Sequence, residues 1–222
     1  MYFVLFISIA LLSWAVSALL DHRFKKYAKV YLPLTGREVA EKMLRDNGIY
    51  DIQVTCTPGH LTDHYDPRNK TVNLSEAVYS SNNVAAAAVA AHECGHAVQH
   101  AFSYAPLNMR SALVPVVNFA SQWVTWILLG GILMVETFPQ LLLVGIILYA
   151  LTTLFAFITL PVEINASRRA IAWLEQSGIT DYQTTPMASS ALRSAAYTYV
   201  VAALSSLGTL IYYILIFTSR RD

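Results

Sequence analysis

The sequence predicts a mostly α membrane protein, with four transmembrane helices and a small α+β domain that carries a β-hairpin. Three observations predict it. Of the 222 residues, 55% are hydrophobic and only 13% are charged, about half the charged fraction of an ordinary soluble domain and too little polar surface to solvate a globule of this size. The apolar residues gather into four uncharged runs, each above the ~18 residues that a helix needs to cross a bilayer. The charged residues collect in the two segments between those runs. The formal net charge of +1 balances 15 basic against 14 acidic residues, so no nucleic-acid partner is expected.

The first run, Tyr2 to Leu20, is interrupted only by Ser8, Ser13 and Ser17 and makes residues 1–20 the first transmembrane helix. A cleaved signal peptide fits less well, because no basic residue precedes the run and no small-x-small cleavage site follows it. Ser111 to Val135 and Leu141 to Val162, separated by Glu136-Thr-Phe-Pro-Gln140, form a transmembrane helical hairpin over residues 111–162. Ala195 to Thr218 is the fourth span, residues 195–218. Arg23, Lys25, Lys26, Lys29, Arg110, Arg168, Arg169 and Arg193 flank one side of these spans, against Arg220 and Arg221 on the other. The positive-inside rule therefore places residues 21–110 and 163–194, the two parts of the polar domain, in the cytoplasm. Cys56 and Cys94 are too few for a disulfide framework and read as reduced thiols.

Within the polar segments, Thr35-Gly-Arg-Glu38 is a capping box, followed by Val39, Ala40, Met43 and Leu44 at helical spacing and closed by Asn47-Gly48, which predicts one amphipathic helix. Ile52, Val54 and Cys56 alternate with polar residues as in a strand. Leu61 to Tyr65 and Thr71 to Leu74, joined through Asp66-Pro-Arg-Asn-Lys70, predict a hairpin. Ser81, Asn82 or Asn83 caps an alanine-rich helix from Val84 to about Phe102, which can pack closely on its neighbours. Glu163 to Ser177 reads as a helix ended by Gly178, and Thr185-Pro186 supplies a cap and first helical position for the approach to the last span.

On the alanine-rich helix sits His92-Glu93-Cys94-Gly95-His96. A spacing of four turns the two imidazoles about 40° apart, one helical turn along the axis, so both can reach a single Zn²⁺. Glu93 lies beside that face, where its carboxylate can take a proton from metal-activated water. Gly95 costs roughly 1 kcal/mol in a helix interior, and close approach by another segment or by the metal's surroundings is a reason to keep it.

A catalytic zinc usually has three protein ligands and an open position. His100 cannot be the third, because it stands about 12 Å from His92 along the helix. The pattern with a third histidine ten residues after the first also fails, since that position is Phe102. Glu163, at the end of the uncharged third span in Leu160-Pro-Val-Glu-Ile-Asn165, is the best candidate, because a carboxylate at that depth is costly unless paired or metal-bound. Pro161 would start a new helix there. Glu136 would face the opposite side of the membrane, and Glu175 suits a solvated helix face. Asn165 and Ser167 are candidate hydrogen-bonders to the ligands.

His92-Glu-Cys-Gly-His-Ala97, the preceding Asp63-His-Tyr-Asp-Pro67 and Pro161-Val-Glu-Ile-Asn-Ala-Ser-Arg-Arg-Ala170 together resemble the bacterial membrane-bound neutral zinc metallopeptidases of the YugP-like family and, more distantly, the HtpX-type membrane proteases. The resemblance runs along nearly the whole chain. It implies a zincin-like (HExxH) domain in the bacterial inner membrane, zinc bound by His92, His96 and Glu163 in gluzincin fashion, and Glu93 as catalytic base. HtpX-type enzymes carry an aspartate four residues after the ligand glutamate, where this chain has Ser167, and the YugP-like pattern has aspartate where Asn165 stands.

The expected activity is a membrane-bound zinc-dependent endopeptidase acting on membrane or unfolded polypeptides. Tyr65, His64, His100, Arg168 and Arg169 are all open as helpers for the developing oxyanion. A hairpin strand, Leu61 to Tyr65 or Thr71 to Leu74, is a place for an extended substrate to add, while Asp63, His64 and Asp66 also suit turn and surface positions. Two other readings stay open: a true intramembrane protease, which the apolar run Val84 to Ala91 permits although it is only eight residues long and the usual aspartate partner motif is missing, and a non-enzymatic membrane adaptor whose zinc is structural.

Overall fold

The computed structural model describes residues 2–219. Arg220 and Arg221, the basic pair that opposes the expected orientation, lie outside the described residues. The chain runs α1 (Tyr2–Tyr27), α2 (Gly36–Asp46), β1 (Gln53–Thr57), β2 (His64–Asp66), β3 (Thr71–Ser75), α3 (Glu76–Tyr79), α4 (Val84–Ala101), α5 (Ala105–Leu133), α6 (Pro139–Gln176) and α7 (Thr184–Thr218). Four of these helices, α1, α5, α6 and α7, are long and apolar enough to cross a membrane.

The local signals act as elementary chemistry requires. Thr35 Oγ1 accepts from the Glu38 N–H at 3.3 Å while the Glu38 carboxylate accepts from the Thr35 N–H at 2.8 Å, which satisfies two orphan donors at the start of α2. Asn83 caps α4 by accepting from Ala86 N–H at 2.9 Å. Pro139 opens α6, where its missing N–H costs nothing, and α5 ends at Leu133, so the turn of the α5–α6 hairpin is residues 134–138. Gly178 takes φ +70° just past the end of α6. The final helix begins at Thr184, one residue before the expected cap. Its first turn is held instead by Asp181, which accepts from the N–H of Gln183 and of Thr184.

The small sheet has the order β1-β3-β2. β2 and β3 form the expected antiparallel hairpin, and β1 joins β3 in parallel. Two expectations about its strands are corrected. Leu61 adopts φ +58°, which interrupts extended backbone, so β2 begins only at His64. Thr71 to Asn73 is paired on both sides and has no free edge to accept a substrate strand, whereas among the described residues β2 pairs on one side alone.

Pro161 does not start a helix; α6 passes through it without a break for 38 residues. At 1.5 Å per residue this rod is about 57 Å long, nearly twice a hydrocarbon core of about 30 Å, so its far half stands in the polar domain. Val162 and Glu163, next to the proline, are buried at 0% and 3% exposure, and the Val162 carbonyl accepts from Gln99 Nε2 of α4 at 2.8 Å. Tertiary packing on α4 thus holds α6 helical across the residue that would otherwise break it.

α4 is the centre of the polar domain. Ala85 to Ala88, Ala90, Ala91 and Ala97 are all buried, and the helix packs against α2, α6 and α7. A Cβ on Gly95 would lie 2.7 Å from the Ala166 carbonyl oxygen and 3.1 Å from its Cα, so α6 approaches α4 backbone to backbone at this point, as the cost of a mid-helix glycine suggested. Gly95→Ala would gain about 1 kcal/mol of helix propensity but drive a methyl into immovable backbone, an overpacking that costs typically 1–3 kcal/mol and here falls at the upper end. We expect a net loss of about 1–2 kcal/mol, read as a lowered thermal midpoint of the detergent-solubilised protein, together with reduced bound zinc.

Candidate metal centre

The α4–α6 crossing brings together the three side chains singled out as ligands. One ligand atom from each of His92, His96 and Glu163 lies within 4.8 Å of the other two. The Glu163 Oε2 atom stands 3.3 Å from His92 Nε2 and 3.7 Å from His96 Nε2. Two bonds of about 2.1 Å meeting near the tetrahedral angle would separate their donors by roughly 3.4 Å, so the spacing suits one zinc ion.

A buried carboxylate oxygen is costly without a partner. Glu163 is 3% exposed, and among the described residues its Oε2 has no hydrogen-bond partner, although the two imidazoles face it. The other oxygen, Oε1, has Arg110 Nη1 at 3.7 Å. The orphaned atom, aimed between two imidazole nitrogens, is what a cation would satisfy. The donor set, two nitrogens and one carboxylate oxygen, is of the type that binds zinc with a position left open.

Each imidazole is oriented through its other nitrogen. Ser167 Oγ lies 3.1 Å from His92 Nδ1, and Gln99 Oε1 lies 3.1 Å from His96 Nδ1. Gln99 is fully buried; its amide nitrogen also donates to the Val162 carbonyl and to Asn165 Oδ1 at 3.0 Å, and Asn165 accepts from Arg169 Nε at 2.8 Å. Burial disfavours a proton on His96, but the Glu163 and Glu93 carboxylates and the Gln99 side chain outweigh it and hold this group above the ordinary histidine range.

Glu93, 9% exposed, lines two cavities that share the centre. One of about 440 Å³ lies on the hairpin side, with Tyr65, His100 and Arg110 in its wall. The other, of about 180 Å³, is apolar and reaches Leu20, Phe24, Val89 and Leu192 on α1, α4 and α7. Asp63, His92, Glu93, Glu163 and Tyr199 line both, so open space runs past the centre on two sides.

The candidate helpers separate cleanly. Tyr65 Oη and His100 Nδ1 lie 3.0 Å apart at the cleft, and His64 lines it too. Arg169 is held by Asn165, and Arg168 turns into a different groove, between α6 and α7. Asp66 is a turn residue, accepting from Arg68 N–H at 2.8 Å. Asp63 does more than a surface residue, because it accepts from the Ser75 N–H at 2.7 Å and ties the loop before β2 to the end of β3. Cys94 is fully buried, which pushes its thiol up; Cys56 is exposed, and both are free.

Gln99, Arg110 and Tyr199 escaped the sequence reading as site residues. Arg110 had a signal: it and Glu163 lie 26 and 27 residues either side of Glu136 in the turn, so an antiparallel hairpin must bring them level. Tyr199 had none.

The family model described as "Putative neutral zinc metallopeptidase" matches residues 2–218. A curated relative from Bacillus subtilis (strain 168), named "Putative membrane protease YugP", is 44% identical over 201 residues, which cover 90% of this chain and 88% of the relative. No solved structure matches the chain.

Groups that orient metal ligands typically set metal affinity within 10–100-fold. Gln99→Leu, which removes the hydrogen bond to His96 and the two bonds from Gln99 Nε2 to the Val162 carbonyl and Asn165, should weaken zinc binding by about that factor, measured by competition with a fluorescent chelator.

Proposed function

The chain belongs to the neutral zinc metallopeptidase family, and on that premise we propose that it is a membrane-bound zinc-dependent endopeptidase of zincin-like, gluzincin type, with His92, His96 and Glu163 as ligands and Glu93 as general base. The observation that carries this reading is the unpartnered Glu163 Oε2 facing both imidazoles beside a cleft-lining Glu93.

Zinc held by His92, His96 and Glu163 would supply Lewis-acid polarisation of a peptide carbonyl and would make water more acidic. Glu93 takes a proton from the attacking water and delivers it to the leaving amine. Ser167 and Gln99 keep the two Nε2 atoms turned toward Glu163, and Arg110 partly offsets the Glu163 charge from the side away from the imidazoles. β2 borders the cleft through His64 and Tyr65, and its free edge offers unpaired backbone groups to an extended chain. This favours unfolded or membrane-derived polypeptide over a folded substrate. A purely structural zinc would give no use to a buried carboxylate at Glu93 that opens onto the cleft, which favours catalysis over an adaptor role.

The purified protein is tested for bound zinc and for cleavage of unfolded casein. Glu93→Gln should keep its zinc and lose about 10²–10⁴-fold in rate, whereas Glu163→Ala should lose the metal. Cleavage by Glu93→Gln at the wild-type rate would overturn the base assignment, and full zinc occupancy in Glu163→Ala would overturn the ligand set.

The polar domain belongs in the cytoplasm on this reading, because the basic residues Arg23, Lys25, Lys26, Arg110, Arg168 and Arg193 all stand at the polar-domain ends of the four long helices. The exposed Cys56 gives a direct check. A membrane-impermeant maleimide should label it only after intact cells are opened, and Cys56→Ser should abolish that labelling; labelling of intact cells would reverse the orientation.

A further inference from the structure

α6 and α7 leave between them a cavity of about 690 Å³ that is separate from the hairpin-side cleft. Its walls divide by chemistry. Arg168 and Arg193 stand at mid-height, with the apolar Ile164, Ala196 and Val200 on their membrane side and Ile171, Ala172, Glu175 and Ser189 on their polar-domain side. Among the described residues neither guanidinium has an ion-pair or hydrogen-bond partner.

The height of these arginines is informative. The uncharged run on α6 ends at Val162, and Arg168 follows six residues later, about 9 Å further along the axis. On α7, Arg193 stands just outside the uncharged run that begins at Ala195. The headgroup layer adds roughly 5–8 Å to each side of the hydrocarbon core, so Arg193 starts within it and Arg168, just beyond it, needs its long side chain to reach back into it. Tyr197, which lines the same cavity about one turn below Arg193, is a residue type enriched at that interface.

The charges that face the groove are Arg168, Arg193 and Glu175. Arg23 lines an adjoining cavity of about 210 Å³ that shares Ser189, Arg193 and Tyr197 with the first, and its guanidinium donates to the Ser190 carbonyl at 3.1 Å. Three cations against one carboxylate leave the rim positive.

We propose that this groove binds one anionic phospholipid, its phosphate between Arg168 and Arg193 and the first part of an acyl chain against Ile164, Ala196 and Val200. A free phosphate would use the arginines but not the apolar wall beneath them. Basic pockets between transmembrane helices on the positively flanked side hold acidic headgroups for this reason, with about one factor of five in affinity for each arginine. The groove adjoins the apolar cavity at the metal centre through Ser167, Leu192 and Ala196, but neither arginine lines a cavity of that centre.

The test uses the full-length protein in mild detergent, incubated with dioleoylphosphatidylglycerol, dioleoylphosphatidylcholine or inorganic phosphate, with bound lipid read by native mass spectrometry. Wild type should retain the phosphatidylglycerol about tenfold better than the phosphatidylcholine, and matched inorganic phosphate should not displace it. Arg168→Gln with Arg193→Gln should lower phosphatidylglycerol retention by roughly twentyfold and leave phosphatidylcholine retention and zinc content unchanged, while Arg168→Lys with Arg193→Lys keeps most of it. Equal retention of the two lipids by wild type, a measurement that needs no variant, would overturn the proposal. So would undiminished phosphatidylglycerol in a folded, zinc-bearing glutamine variant, or its displacement by inorganic phosphate.

Discussion

The contact of α4 with α6 at Gly95 and Ala166 sets the position of everything else in the polar domain. The two histidines ride on one helix and the glutamate on the other, and their donor atoms come within 4.8 Å of one another only because no side chain stands between the backbones. Gln99 reinforces the same crossing from one turn further on, with one end on His96 and the other on the Val162 carbonyl. The sheet and α2 pack on other faces of α4.

The electrostatics of the site follow from that geometry. A carboxylate nearly removed from water must be matched by positive charge, and here the match is divided. Arg110 faces one oxygen, while the two imidazoles face the other without a satisfying hydrogen bond. A low-dielectric setting makes such a half-matched charge a strong attractor for a divalent ion. The division also separates the partners by origin, since Arg110 comes from the start of α5 and the imidazoles from α4.

Most of the architecture was legible in the sequence because it depends on local signals: uncharged runs long enough to span, the Thr35–Glu38 box, the Asn83 cap, the i, i+4 histidines. What was not legible depends on tertiary contact. Pro161 reads locally as a helix start, but packing of Val162 and Glu163 on α4 overrides it. The parallel pairing of β1 with β3 joins segments that no turn connects, so the central place of β3 could not be inferred from the hairpin alone. Glu163 was legible through a physical cost, a charge at the end of an uncharged span, whereas Gln99 looks like any polar residue near a helix end until its neighbours are known. Tyr199 reaches the site from the last helix, and nothing in its own sequence context distinguishes it from the tyrosines around it.

The alanines of α4 have a thermodynamic meaning beyond close packing. Alanine loses no rotamer entropy on burial, so Ala85 to Ala88, Ala90, Ala91 and Ala97 fix the helix in place with side chains that have nothing left to freeze. The histidines are thus presented on a scaffold whose disorder was surrendered when the chain folded. An incoming ion meets ligands that are already ordered, and its binding free energy is reduced little by the need to organise them.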